Sequence, residues 1–112
     1  MLEIRDFTEN ELWIIRSALK ERYAQDILVE LAETEIRIRP GAKDLTPCPA
    51  AYWEARGAHF ILVKTGESRY RCQFYYRLHE MFGTGIEEFD DLGDCVVALL
   101  QVQADHESQR QS

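Results

Sequence analysis

His59-Phe60-Ile61-Leu62-Val63, followed by Arg69-Tyr70-Arg71-Cys72-Gln73-Phe74-Tyr75-Tyr76-Arg77, is the stretch that decides the fold. The first run is apolar at nearly every position and rich in β-branched and aromatic residues, as in a strand covered on both faces. The second alternates. Tyr70, Cys72, Phe74 and Tyr76 point one way, and Arg69, Arg71, Gln73, Tyr75 and Arg77 the other. Gly66-Glu67 suits the centre of a type II′ hairpin turn, which sets Val63 opposite Tyr70 and Ile61 opposite Cys72; one further loop residue would exchange the faces.

Working towards the N-terminus, Tyr52-Trp53-Glu54 reads as a strand joined through Arg56-Gly57 to the apolar strand. Pro40-Gly41 opens the longest irregular loop, which runs to Pro49 and holds Cys48 extended between two prolines, where its thiol meets solvent. Before it, Glu35-Ile36-Arg37-Ile38-Arg39 alternates like a strand, and Ile27, Leu28 and Leu31 suit one or two helical turns. The first helix starts at Thr8, with Glu11 as its capping-box partner and Phe7 against Leu12 as a hydrophobic staple. Leu12, Ile15, Leu19 and Tyr23 form its apolar stripe, widened by Trp13 and Ile14.

Towards the C-terminus, Gly83-Thr84-Gly85 ends the aromatic strand, and Ile86 to Phe89 is short enough for a charged edge strand. Asp90 or Asp91 caps a helix whose stripe is Leu92, Cys95, Val96, Leu99 and Val102. The pattern predicts one α+β domain over residues 1–105, with a polar tail that frays at 106–112. Its antiparallel sheet has three to five strands, with an N-terminal and a C-terminal helix packed mainly on one face.

The composition is that of a globular protein, 46% hydrophobic and 29% charged in 112 residues, a chain long enough to bury about 65% of its unfolded surface. No run reaches the length of a membrane span and no signal-peptide pattern opens the chain, so a cytoplasmic location is expected. A net charge of −7 repels nucleic-acid phosphates and anionic lipid, which argues against both as partners. Cys48, Cys72 and Cys95 are odd in number and widely spaced, as expected of free thiols rather than a disulfide framework or metal site. Gly83-Thr84-Gly85-Ile86 lacks the setting of a dinucleotide fingerprint, and no serine sits in a nucleophile elbow. Neither a cofactor nor a catalytic residue is expected. His59, His79 and His106 are too scattered to form a metal set by spacing.

Three candidate surfaces remain. Arg69, Arg71 and Arg77, with Lys64 at the neighbouring strand end, form a basic row; alternate guanidinium groups about 7 Å apart can hold an anion from two sides. Glu54, Glu87 and Glu88 compete for those cations, and with twenty acidic residues in the chain, ion pairing is the favoured reading. Tyr52, Trp53, Tyr75 and Tyr76 are aromatics of the kind enriched at interfaces, and Tyr75 shares the charged face. His59 and Glu54, joined by Arg71, define an alternative pocket between sheet and helices. The order of elements, with Leu62-Val63-Lys64 and Phe89-Asp90-Asp91-Leu92, is superficially similar to SH2 domains. Lys64 replaces the arginine with which those domains grip phosphate and the first helix is longer, so the similarity suggests an anion site and assigns no family.

The chain therefore reads as a small cytoplasmic accessory or protein-interaction domain that binds a protein partner or a second copy of itself through Arg69, Arg71, Tyr75 and Arg77. The alternatives are a small enzyme or ligand-binding domain with an anion-accepting pocket, and an acidic inhibitor of a basic partner.

Overall fold

A computed structural model of the chain describes residues 4–77 and 80–110. Helix α1 (Glu9–Tyr23) leads into five strands, β1 (Glu30–Ile36), β2 (Thr46–Ala55), β3 (Ala58–Gly66), β4 (Arg69–Tyr75) and β5 (Met81–Gly83), and helix α2 (Leu92–Arg110) follows. The strands form one antiparallel sheet in sequential order, and both helices cover the same face of it. This is the α+β architecture expected from the pattern, at the upper end of the strand count.

The local signals explain the element ends. The Thr8 hydroxyl accepts from Glu11 N–H at 3.1 Å while Glu11 Oε1 accepts from Thr8 N–H at 2.8 Å, closing the capping box. Ala24 stops α1 in the left-handed region at φ 57°. Arg56 and Gly57, at φ 51° and 81°, make the tight β2–β3 turn with the twist that adjacent strands require. Asp91 Oδ2 accepts from Asp94 N–H at 2.8 Å at the start of α2.

Several expected details differ. Residues 24–29 are not helical, and β1 begins at Glu30, earlier than the alternation at 35–39 suggested. Trp13 is 66% exposed instead of widening the α1 stripe. Cys48 is buried inside β2: the supposed loop ends at Thr46, because β3 pairs with β2 only from Ala50 onward, leaving Pro47 and Pro49 little ladder to interrupt. Residues 86–89 contribute a single bridge, Phe89 to Tyr70, and the fifth strand is Met81–Gly83. α2 continues past Asp105 to Arg110, and His106 packs against Phe82 with ring centroids 4.3 Å apart.

The decisive difference lies in the β3–β4 hairpin. Its turn is Glu67-Ser68, with Gly66 opposite Arg69, and Thr65 bulges out so that Lys64 faces Tyr70 and Val63 faces Arg71. The expected register is thus displaced by one residue. Phe60, Leu62 and Lys64 now share the helix-covered face with Tyr70, Cys72 and Phe74, whereas Ile61 and Val63 lie on the other. Ile15, Val63, Phe74 and Leu99 are buried as expected, but Ile61 is only half-buried.

Facing inwards, Lys64 is 2% exposed. Its Nζ donates to Glu11 Oε1 at 2.9 Å and to the Asp6 carbonyl at 3.1 Å, and the Tyr70 hydroxyl donates to Glu11 Oε2. Burial alone would raise the Glu11 pKa, but the hydrogen bonds from Tyr70, Thr8 N–H and Lys64 outweigh it and hold the carboxyl below its usual range. Glu11→Gln strands a buried ammonium and should cost about 3–5 kcal/mol in urea unfolding. Because the folded pKa is the lower one, the stabilisation is complete above the ordinary carboxylate pKa and disappears as pH falls through the folded value. Urea midpoints followed downward from neutral pH should therefore fall more steeply for the native chain than for Glu11→Gln.

Candidate functional site

Strand alternation divides the sheet into a face under the helices and a face turned away from them. On the second, the cross-strand register sets Glu54, His59, Tyr75 and Met81 in one row, and Tyr52, Ile61 and Gln73 in the next. Val63 and Arg71 follow, near Ala50 and Cys48. Ile4, Ile36, Ile38 and Ile61 pack around the small cluster of Cys48, Ala50 and Val63. The aromatic end has no helix over it, and Met81 is 46% exposed.

At that end the His59 ring stacks on Tyr75, with centroids 4.9 Å apart, and lies 6.0 Å from the Tyr52 ring. His59 Nδ1 is 2.5 Å from the Tyr52 hydroxyl and 3.2 Å from Glu54 Oε2. Burial and the nearby Tyr75 hydroxyl raise the Tyr52 pKa, which keeps it a neutral phenol at physiological pH. His59 and Glu54 do meet, as the alternative pocket required, but they do so on the face away from the helices. Arg71 stands two rows from His59, so the three do not converge. Two concavities border this group: one of about 440 Å³ is lined by Gln25, Asp26, Ile27, Leu28, Glu30, Tyr52, Trp53 and Glu54, and one of about 310 Å³ by Thr34, Ile36, Ile61, Val63, Arg71, Gln73 and Met81.

The basic row is dispersed. Lys64 belongs to the opposite face, because the Thr65 bulge turns it inward and Glu11 neutralises it. Arg71 donates from Nε to Glu88 Oε2 at 3.1 Å and from a terminal nitrogen to the Ile38 carbonyl at 2.9 Å. Arg69 lies 3.5 Å from Glu88 Oε1. Arg77 is exposed beyond the end of β4. Glu88, which also accepts from the Thr65 hydroxyl at 2.9 Å, thus occupies the place an anion would take between two guanidinium groups. Sequence reading named Glu88 as a competitor, yet gave no sign that the Thr65 bulge brings a third donor to it.

The four interface aromatics split in the same way. Tyr52 and Tyr75 lie on the open face, whereas Trp53 stacks on Phe60 in the core and Tyr76 accepts from Gln103 Nε2 at 3.1 Å beneath α2. The thiols of Cys48, Cys72 and Cys95 are free and buried. Burial raises the Cys48 pKa, and contact with the Cys72 thiol together with burial raises that of Cys95, both of which suppress thiolate chemistry. Among the described residues no three His, Cys, Asp or Glu side chains gather as a metal set, and no helix is long and apolar enough to cross a membrane. His79 lies outside the described residues.

Comparisons with models of known protein families, with curated proteins and with solved structures find no match to this chain.

Inorganic phosphate should leave the thermal midpoint of the native chain unchanged beyond its general salt effect, because Glu88 already fills the site between Arg69 and Arg71. Glu88→Ala should lower the midpoint and render it phosphate-sensitive, which differential scanning calorimetry in phosphate against chloride at equal ionic strength will read.

Proposed function

We propose that this chain is a protein-interaction domain that docks its partner on the open sheet face, centred on Tyr52, His59 and Tyr75. One observation carries the reading: a stacked row of half-buried aromatic side chains lies on a sheet face that neither helix covers. Tyrosine and histidine present a rigid apolar ring with a polar edge, so they gain contact area on binding at small conformational cost. Ile61 and Met81 extend the apolar ground, while Glu54 and Gln73 give it a polar rim. A cytoplasmic accessory role, with either another protein or a second copy of the chain as partner, belongs to the same proposal.

A second reading takes the contact of His59 Nδ1 with both Glu54 and Tyr52 as a proton-handling site of a small enzyme or ligand-binding domain. The separation of Arg71 from His59 by two rows makes it the weaker one.

A benzoylphenylalanine introduced at the exposed Gln73 should photo-cross-link to a partner in cells expressing the chain, whereas one at the exposed Lys20 of α1 should not. Tyr52→Ala with Tyr75→Ala should abolish the adduct while leaving the far-ultraviolet spectrum unchanged. Adducts formed from Lys20 alone would place the docking surface on the helices. An adduct at twice the chain mass, matched by a dimer in sedimentation, would identify the second-copy version.

A further inference from the structure

We propose that the outer edge of β1 accepts an extended, basic segment of a partner protein as an additional strand of the sheet. The inference rests on the protein-interaction reading but uses a different surface, so the two fail separately. β1 is terminal in the sheet order, and among the described residues nothing hydrogen-bonds its outer edge. Such an edge is a template for another chain, and natural edges are commonly blunted by brevity, proline, lysine or a bulge. β1 has none of these, and the only protective charges it carries are glutamates. It is seven residues long, contains neither proline nor lysine, and pairs with β2 in unbroken register from Glu30 to Ile36.

Its side chains specify what the edge can take. On the helix side of the sheet, Leu31, Glu33 and Glu35 follow one another, all exposed. On the other side lie Ala32, Thr34 and Ile36, small or β-branched residues that suit a pleated neighbour. The strand thus carries three carboxylates, counting Glu30, and no cation. Directly opposed side chains on adjacent strands interact strongly enough to select partners, like charges being disfavoured and opposite charges favoured. A second copy pairing about Glu33 would set the two Glu33 carboxylates against each other, on chains that each bear a net charge of −7. The same acids that reject a second copy attract a strand with Lys or Arg facing Glu33 and Glu35 and an apolar residue facing Leu31. The carboxylates that repel a second copy are thus the same ones that select a basic partner.

The test uses the full chain and a labelled synthetic peptide in which lysine or arginine alternates with valine or threonine and a leucine occupies one end. Fluorescence anisotropy should show saturable binding, and the largest backbone amide shifts should fall in Glu30–Ile36. Glu33→Lys with Glu35→Lys should weaken binding about tenfold or more, each cross-strand pair passing from attraction to repulsion. Glu21→Lys with Glu87→Lys, which alters net charge equally at exposed positions elsewhere, should weaken it far less. N-methylation of alternate peptide amides, which removes the main-chain ladder but keeps the charge, should abolish binding. Equal loss in the two charge variants, binding that survives N-methylation, or no saturation would each overturn the proposal. Tyr52→Ala with Tyr75→Ala should leave peptide binding intact. Loss of the open-face adduct with the peptide still bound would refute only the open-face reading, and the reverse result only the edge.

Discussion

The ion pair between Glu11 and Lys64 holds the two halves of this fold together. It joins the first turn of α1 to β3 on the helix-covered face of the sheet, and the Tyr70 hydroxyl, Thr8 N–H and Asp6 carbonyl complete its hydrogen bonds. A lysine this deeply buried is tolerable only because its charge is met at short range, and removal of either partner would leave the other in a low-dielectric interior. Glu11 acts in two ways at once. One oxygen caps the helix, and the carboxylate as a whole neutralises the sheet, so the start of α1 and the register of β3 are mutually determined.

That register has consequences for the opposite face. With Thr65 bulged, Phe60 and Leu62 join Phe74 beneath the helices, and His59, Ile61 and Val63 turn outward. The aromatic row of Tyr52, His59 and Tyr75 therefore exists on the open face because Lys64 is committed to the buried one. Thr65 is also placed where its hydroxyl reaches Glu88, which in turn draws in Arg69 and Arg71. A single extra residue in one strand thus determines both the buried charge pair and the neutralisation of the surface arginines.

Much of this was legible in the chain. The capping box at Thr8, the N-cap at Asp91, the Arg56-Gly57 turn and the alternation of β4 are local devices, and each sits where its chemistry indicated. The bulge was not legible, because Gly66-Glu67 and Glu67-Ser68 are both acceptable turns and only packing against the helices distinguishes them. In sequence Lys64 consequently reads as part of a surface basic row, since nothing near it announces a partner 53 residues away in Glu11. Prolines at 47 and 49 conceal the start of β2 in the same way, as their tolerance depends on where the pairing of β2 with β3 stops. Of the candidate surface, the paired placement of Tyr75 and Arg71 was readable from alternation, whereas the meeting of His59 with Tyr52 and Glu54 depends on the β2–β3 register.

A double-mutant cycle on Glu11 and Lys64 tests the account most directly. If the buried pair locks the register, Glu11→Met and Lys64→Met each destabilise the chain by about 3–5 kcal/mol in urea unfolding, while the double substitution, which leaves no uncompensated charge and forfeits only the bonds of Glu11 to Thr8 N–H and the Tyr70 hydroxyl, costs no more than the Glu11 single and far less than the sum of the two. Additive losses, with the double variant as unstable as the sum of the singles, would contradict it: Lys64 and Glu11 would then act independently, and the inward turn of β3 would need another cause.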